Sequence, residues 1–174
     1  AVFARKNSKG IKNKNLLRFE NKTLVGHAVN QAYKSKFIKK VYISSDSEKI
    51  INEAKKYKAI QLFKRPKFLS LDTTPYLYVW RHFVKYLKKK NIRVDYIVDI
   101  PTTSPLRNID DINKCIKLAL KKKLDMVVTV AKSYKNPYFN MLEKRGKKLK
   151  LIKTSNKKIR RRQDAPKCYD LTTV

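Results

Sequence analysis

Glycine is nearly absent, with Gly10, Gly26 and Gly146 the three in 174 residues. That scarcity excludes a GxGxxG dinucleotide loop and a GxxxxGK[ST] phosphate loop, both of which need clustered glycines for close backbone approach. Cysteine is limited to Cys115 and Cys168, in no metal-type spacing, so a disulfide-free cytoplasmic protein is expected. Long apolar runs are missing too. Lysines interrupt every stretch well short of the roughly 18 residues that a membrane span needs, and the basic amino terminus does not resemble a signal peptide. Acidic residues are few: 13 Asp and Glu stand against 44 Lys and Arg, giving a formal net charge of +31.

What is present argues for a folded chain. A hydrophobic content of 42% with 10% aromatics is more than a disordered basic tail carries. The charge itself is ambiguous. It suits nucleic acid, a small polyanion such as a nucleoside triphosphate, or nothing beyond a compositional bias that also enriches Ile, Asn and Tyr.

Apolar runs alternate with helix-period segments. Strands are expected at Ala1–Ala4, Val41–Ser44, Ala59–Phe63, Tyr96–Ile100 and Met126–Ala131, the last apolar enough for burial on both faces. Helices are expected at Leu24–Tyr33 and at Ser47–Tyr57, with Ile50, Ile51 and Ala54 inward. A third runs from Pro75 to about Lys89, capped by Thr74 and burying Leu77, Trp80, Val84 and Leu87. A fourth follows Asn108 as cap, with Asp110 and Asp111 in its first turn. This alternation predicts an α/β fold with a mainly parallel sheet flanked by helices. A β-hairpin is expected near Tyr138–Lys153, turning at Lys144-Arg145-Gly146-Lys147. Neither an interdomain linker nor an internal repeat is visible, so residues 1–174 are expected to form one domain.

In open parallel sheets, ligands bind outside the carboxyl ends of the strands. The loop Arg5–Asn15 after the first strand combines Gly10, Ser8, amides and several cations. Its backbone N–H groups suit an anion nest, with Arg5, Lys9 and Lys14 neutralising phosphate oxygens. Pro101–Arg107 is a stiff, hydroxyl-rich turn carrying Thr103 and Ser104. Asn136, Tyr138 and Phe139 mix an amide with aromatics, a set that can pair polar contacts with apolar packing. Arg162 and Gln163 suit a carboxylate. His27 and His82 fall inside helices, where core-edge roles are expected of them.

Six ordered motifs then carry a resemblance: ARKNSKGIKNKN (Ala4–Asn15), VYISSDSEKI (Val41–Ile50), KRPKFLSLDTT (Lys64–Thr74), TSPLRNIDDI (Thr103–Ile112), NPYFNMLE (Asn136–Glu143) and RRQDAPKCYD (Arg161–Asp170). Together they resemble the acylneuraminate cytidylyltransferases, the CMP-sialic acid synthetase family, and within it the legionaminic acid branch. The resemblance implies a Rossmann-like nucleotidyltransferase fold, a homodimer, and transfer of CMP from CTP to a nonulosonic acid with Mg²⁺. It implies nucleotide contacts from Ala4, Arg5, Asn7, Ser8, Lys9, Gly10, Lys14, Asn15, Arg65, Asp72 and Thr73, with Arg5 and Lys14 acting at the reacting phosphates. Sugar contacts are implied for Thr103, Ser104, Arg107, Asn136, Tyr138, Phe139, Arg162 and Gln163.

Relatives carry a glutamine where this chain has Pro101. They draw their metal-binding aspartates from beyond the point matching Val174, so a domain truncated at its carboxyl end is expected, with Asp99 the one local metal candidate. Two alternatives stand beside this reading. One is a 3-deoxy-manno-octulosonate cytidylyltransferase. The other is a non-catalytic RNA-binding protein using Lys144–Arg162, where 11 of 19 residues are Lys or Arg but no aromatics interleave for base stacking. Nucleic acid and membrane are therefore not the expected partners.

Overall fold

The computed structural model describes residues 1–8, 10–156 and 158–172. They fall into two compact units, one built by Ala1–Val127 and the other by Val128–Thr172. The first runs β1 (Val2–Phe3), β2 (Arg18–Phe19), β3 (Lys22–Thr23), α1 (Leu24–Lys34), β4 (Tyr42–Ser44), α2 (Glu48–Lys56), β5 (Ile60–Gln61), α3 (Tyr76–Lys89) and α4 (Ile109–Lys122). The second holds β6 (Val130–Lys132), β7 (Leu142–Arg145), β8 (Lys148–Leu151) and β9 (Tyr169–Leu171).

The central sheet is parallel, in the order β1-β4-β5, with Val2 opposite Ile43 and Tyr42 opposite Ile60. Residues 96–100 form no regular strand, yet they extend this sheet on the far side of β1. The Ala1 nitrogen donates to Val98 O at 2.6 Å and the Ile100 N–H donates to Ala1 O at 2.9 Å, the bond pair of a parallel ladder.

Side-chain alternation along these short strands divides the core between two faces. Val2, Ala4 and Ile43 enter a cluster with Val25, Ala28, Val29 and Ala32 of α1, Ile50 and Ala54 of α2, and Ile112 of α4. Phe3 and Tyr42 point the other way, into Phe63 and α3 residues Val79, Phe83 and Leu87. Helices on both faces of one parallel sheet follow directly.

Helix starts match the capping chemistry in the sequence. Thr23 Oγ1 accepts the Gly26 N–H at 3.2 Å, and Asn108 Oδ1 accepts the Asp110 N–H at 2.9 Å. Gly26 is needed for closeness, since a Cβ there would lie 2.5 Å from the Tyr57 ring. The buried face of α2 is the expected Ile50, Ile51 and Ala54.

Two expectations fail in detail. In α3 the cap position is Pro75, and Thr74 instead donates to Phe68 O at 2.7 Å. The helix buries Val79, Phe83 and Leu87, while Leu77 is exposed and Trp80 and Val84 are half-buried. Phe83 selects that face by meeting Phe3 edge-on at 5.4 Å and Tyr42 at 5.8 Å. The expected buried strand at 126–131 is reduced to β6, with Met126 69% exposed and Val130 51%. β6 pairs antiparallel with β9 in a two-stranded ribbon, so the central parallel position that would have covered both its faces is not the one it takes.

In the second unit, β7 and β8 form the expected hairpin in shorter form. The pair Arg145–Lys148 closes it around Gly146-Lys147, with Gly146 at φ +61°, the glycine-first arrangement of a type II′ turn. Among the described residues no helix is long and apolar enough to cross a membrane.

Two measurements test this core. Phe83→Ala empties the aromatic cluster and is expected to cost about 3–5 kcal/mol of unfolding free energy by denaturant titration; a loss under about 1 kcal/mol would contradict the packing. His82 meets Phe63 edge-on at 4.7 Å and Tyr86 at a tilt at 5.1 Å, and burial, reinforced by Arg65 and Lys85, holds its imidazole pKa below the usual value. The unfolded chain therefore takes up a proton that the native state resists, so this contribution is full above the ordinary histidine range and declines on acidification. His82→Phe is expected to shrink the fall in melting temperature between about pH 7 and pH 5. An unchanged fall would remove His82 from the acid response.

Candidate active site

The carboxyl ends of β1, β4, β5 and segment 96–100 deliver four loops: 5–15, 44–47, 64–74 and 101–107. Asn15 sits where the first and last of them meet and is 5% exposed. Its Nδ2 donates to Arg5 O at 2.8 Å, closing the loop across ten residues, and its Oδ1 accepts the Thr102 hydroxyl at 2.6 Å. Asn13 turns the chain with φ 54° into the short 3-10 turn of Lys14–Leu16, so Asn13, not Gly10, takes the left-handed backbone here. A Cβ at Gly10 would meet nothing within 4 Å, which leaves that stretch of backbone open to an approaching ligand.

Acidic side chains pin the same loop from the other side. Asp46 Oδ1 accepts the Lys6 N–H at 2.8 Å. Arg5 forms an ion pair with Asp72 and donates to Ser70 O at 3.5 Å. Both partners of the pair keep about a third of their side-chain surface exposed, so it contributes on the order of 0–1 kcal/mol to stability and is open to exchange with a ligand anion.

Loop 101–107 is held from below. Arg107, 6% exposed, donates to Gln31 Oε1 at 3.1 Å and Pro101 O at 2.8 Å. Gln31 Nε2, from α1, donates in turn to Pro105 O at 2.6 Å and Arg107 O at 3.2 Å. Arg107 is thus the clamp of its own loop, and Thr103 and Ser104 line a groove of about 400 Å³ with Phe19, Leu106 and Asp111.

Arg65 is likewise internal. At 4% exposure it donates through Nε to Ser44 Oγ at 3.1 Å and through Nη2 to Ser44 O at 2.5 Å. Its guanidinium locks the end of β4 to the 64–74 segment. Thr73 lines a groove of about 450 Å³ with Phe68, Leu69, Tyr78 and His82.

Ala4 is buried behind the loop and donates its N–H to Ser44 O at 3.1 Å. Ser8 and Lys14 are half-buried, and Asn7 and Gly10 exposed. Lys9 lies outside the described residues. Asp99 accepts the Trp80 indole N–H at 3.0 Å, and burial raises its carboxyl pKa against the lowering effect of that bond. Its Oδ1 is buried without a hydrogen-bond partner. No three metal-ligating side chains cluster among the described residues, and the Asp99 carboxylate is largely enclosed.

Within the second unit, Asn136 is a local organiser. Its main-chain O accepts the N–H groups of Phe139, Asn140 and Met141 at 2.9–3.1 Å, and its Nδ2 donates to Pro166 O at 2.8 Å. Residues 137–140 therefore turn where strand had been expected. Tyr138 is half-buried under Lys153 Nζ, 5.6 Å from the ring centroid, and Phe139 is 38% exposed. Arg162 donates to Tyr134 O, and Gln163 is exposed. Thr102, Gln31, Ser44 and Asp46 were not singled out from sequence. Thr102 and Asp46 lie within or beside recognised motifs, whereas Gln31 carries no local signal.

A parallel sheet flanked by helices, with its carboxyl-end loops cross-linked around a basic turn, defines an α/β protein of the nucleotidyltransferase fold. The chain belongs to the cytidylyltransferase family, whose model matches residues 2–170. It is 33% identical to "Post-translational flagellin modification protein B" of Campylobacter coli over 174 residues, spanning 98% of this chain and 72% of that protein. It is also 33% identical to a CMP-N,N'-diacetyllegionaminic acid synthase of Campylobacter jejuni, with the same coverage of both chains. Among solved structures it is similar to a CMP:2-keto-3-deoxy-manno-octonic acid synthetase complexed with CTP, at 15% identity and a TM-score of 0.56. That match covers 75% of this chain and 49% of the other. The chain thus spans about half the length of that structure.

Arg5→Ala tests the loop. The melting temperature is expected to move by no more than a few degrees, while CTP affinity falls about 10- to 100-fold from the loss of a charge-assisted bond. Unchanged affinity by calorimetry would take Arg5 out of the site.

Proposed function

We propose that the chain belongs to an enzyme that transfers CMP from CTP to a nonulosonic acid of the legionaminic or sialic type. The observation that carries this reading is the cross-linking of loops 5–15, 64–74 and 101–107 around Asn15 and Arg5, within a chain whose match to the cytidylyltransferase family runs nearly end to end. The sugar's anomeric hydroxyl attacks the α-phosphorus of CTP. A new P–O bond forms as the α–β bond breaks, pyrophosphate leaves with the bonding pair, and the hydroxyl proton passes to solvent water.

Such transfers depend on positioning and charge neutralisation more than on covalent participation by the protein. Here Arg5, with Lys14 and the open backbone near Gly10, meets the triphosphate. As the anion arrives, Arg5 exchanges Asp72 for phosphate oxygens. Thr103 and Ser104, on a loop stiffened by Arg107, face the second groove and meet hydroxyl groups of the ligand.

Asn136, Tyr138, Arg162 and Gln163 belong to the acceptor side of this reading. Mg²⁺ is commonly held by substrate phosphates and one or two carboxylates; bound with the triphosphate it would neutralise charge, with Asp99 the carboxylate proposed for it. A cytoplasmic homodimer completes the proposal, supported by the resemblance to enzymes of activated-sugar synthesis.

Thermal shift with each of the four nucleoside triphosphates and Mg²⁺ tests the reading. CTP at about 100 times its Kd is expected to raise the melting temperature by roughly 5–10 °C, with much smaller gains from the other three. Equal gains from all four, or from inorganic polyphosphate, would reduce the site to a general anion sink.

A further inference from the structure

We infer that Thr102 is a positioning residue for the nucleotide loop, setting the orientation of Asn15 and tying loop 5–15 to loop 101–107; its bearing on CTP rests on the function proposed above. The orientation of the Asn15 carboxamide is dictated by its neighbours. Arg5 O can only accept, so the amide nitrogen faces it at 2.8 Å. Oδ1 is thereby turned to the Thr102 hydroxyl at 2.6 Å, and that hydroxyl donates. Both side chains are buried, Asn15 at 5% and Thr102 at 6%, so neither oxygen can turn to solvent for an equivalent bond.

The connection reaches further on each side. Thr102 follows Pro101, whose carbonyl is held by Arg107, which Gln31 of α1 supports. Asn15 sits on Arg5 O, and the Arg5 side chain lies against Asp72. One hydroxyl thus joins a chain of bonds running from helix α1 to the ion pair that meets the incoming anion. Removing it leaves Asn15 Oδ1 buried and unsatisfied. The loop then relaxes, because an unmet buried acceptor costs more than an absent bond.

Thr102→Val deletes the hydroxyl and keeps the shape; Thr102→Ser restores the donor. Two readouts apply to the full chain. In the unliganded chain, hydrogen exchange of the Leu16 and Leu17 amides, bonded to Asn13 O and Lys14 O, is expected to quicken about tenfold in Thr102→Val. In Thr102→Ser it should stay near the parent rate. For CTP, Thr102→Val is expected to raise Kd about tenfold, with Thr102→Ser again close to the parent. Parent-like exchange in Thr102→Val, or equal acceleration in both variants, would overturn the inference. If Thr102→Val does not fold, Thr102→Ala is judged by the same two criteria. A parent chain with no preference for CTP would overturn the proposed function alone, since the exchange measurement needs no nucleotide.

Discussion

The buried carboxamide of Asn15 is the constraint on which the rest of the site depends. A loop of eleven residues leaving a strand carries many unpaired backbone groups and, here, several cations that repel one another. Without an internal tie it would sample many conformations, each imposing an ordering cost on any ligand. Asn15 closes the loop on itself at Arg5 O and on its neighbour at Thr102. The amide is well suited to this because it presents a donor and an acceptor at once, in a place too enclosed for water to substitute.

That tie would be of little use if the strand ends behind it were loose. β1 and β4 are only two and three residues long, so the sheet supplies few ladder bonds. Polar side chains take over at its edge. Arg65 fastens the end of β4 through two bonds to Ser44, and its N–H group donates to Ser45 O at 2.8 Å. Asp46 then holds the Lys6 N–H. Burying a guanidinium is costly, and burial lowers the Arg65 pKa accordingly, but its bonds to Ser44 offset that cost. The two motif arginines, Arg65 and Arg107, thus serve the site by holding its loops, while Arg5 is the one left at the surface in an exchangeable pair.

Sequence patterning made the scaffold legible and the cross-links only partly so. Helices α1 and α2 are legible from a 3.6-residue apolar period, and α4 from its Asn108 cap with Asp110 and Asp111 in the first turn. In helix α3 the first five residues, Tyr76–Trp80, are all apolar or aromatic, so periodicity does not choose a face. Contact with Phe3 and Tyr42 does. Segment 126–131 reads as a buried strand by composition, but burial depends on what lies beside it. In the ribbon with β9, Val130 is left 51% exposed. Ligand loops could be located from the order of strands, yet whether an arginine faces solvent or a serine carbonyl is a tertiary fact. Arg65 and Arg107 carry no local signal of their burial, and Gln31, far away in the chain, gives none of its role.

The excess of positive charge takes on meaning once the scarce acids are located. Asp46 and Asp72 sit against the basic loop after β1, Glu48 pairs with Lys64 at 2.9 Å, and Glu53 ties the Thr23 hydroxyl and Lys56. Asp164 caps the turn at Arg161 and Arg162, with Arg161 holding its carboxyl below the usual range. These carboxylates do not cancel the field; they pin particular loops within it. Near the site this leaves a cationic turn held in shape by Asp72 and Asp46, where an anion of the right geometry can displace one counter-charge without unravelling the loop. Long-range attraction then comes from the whole chain and raises encounter rates for any polyanion, while on the proposed function selectivity rests on the few groups whose positions the buried amide and the two carboxylates fix. A uniform coat of lysine would supply the first property without the second.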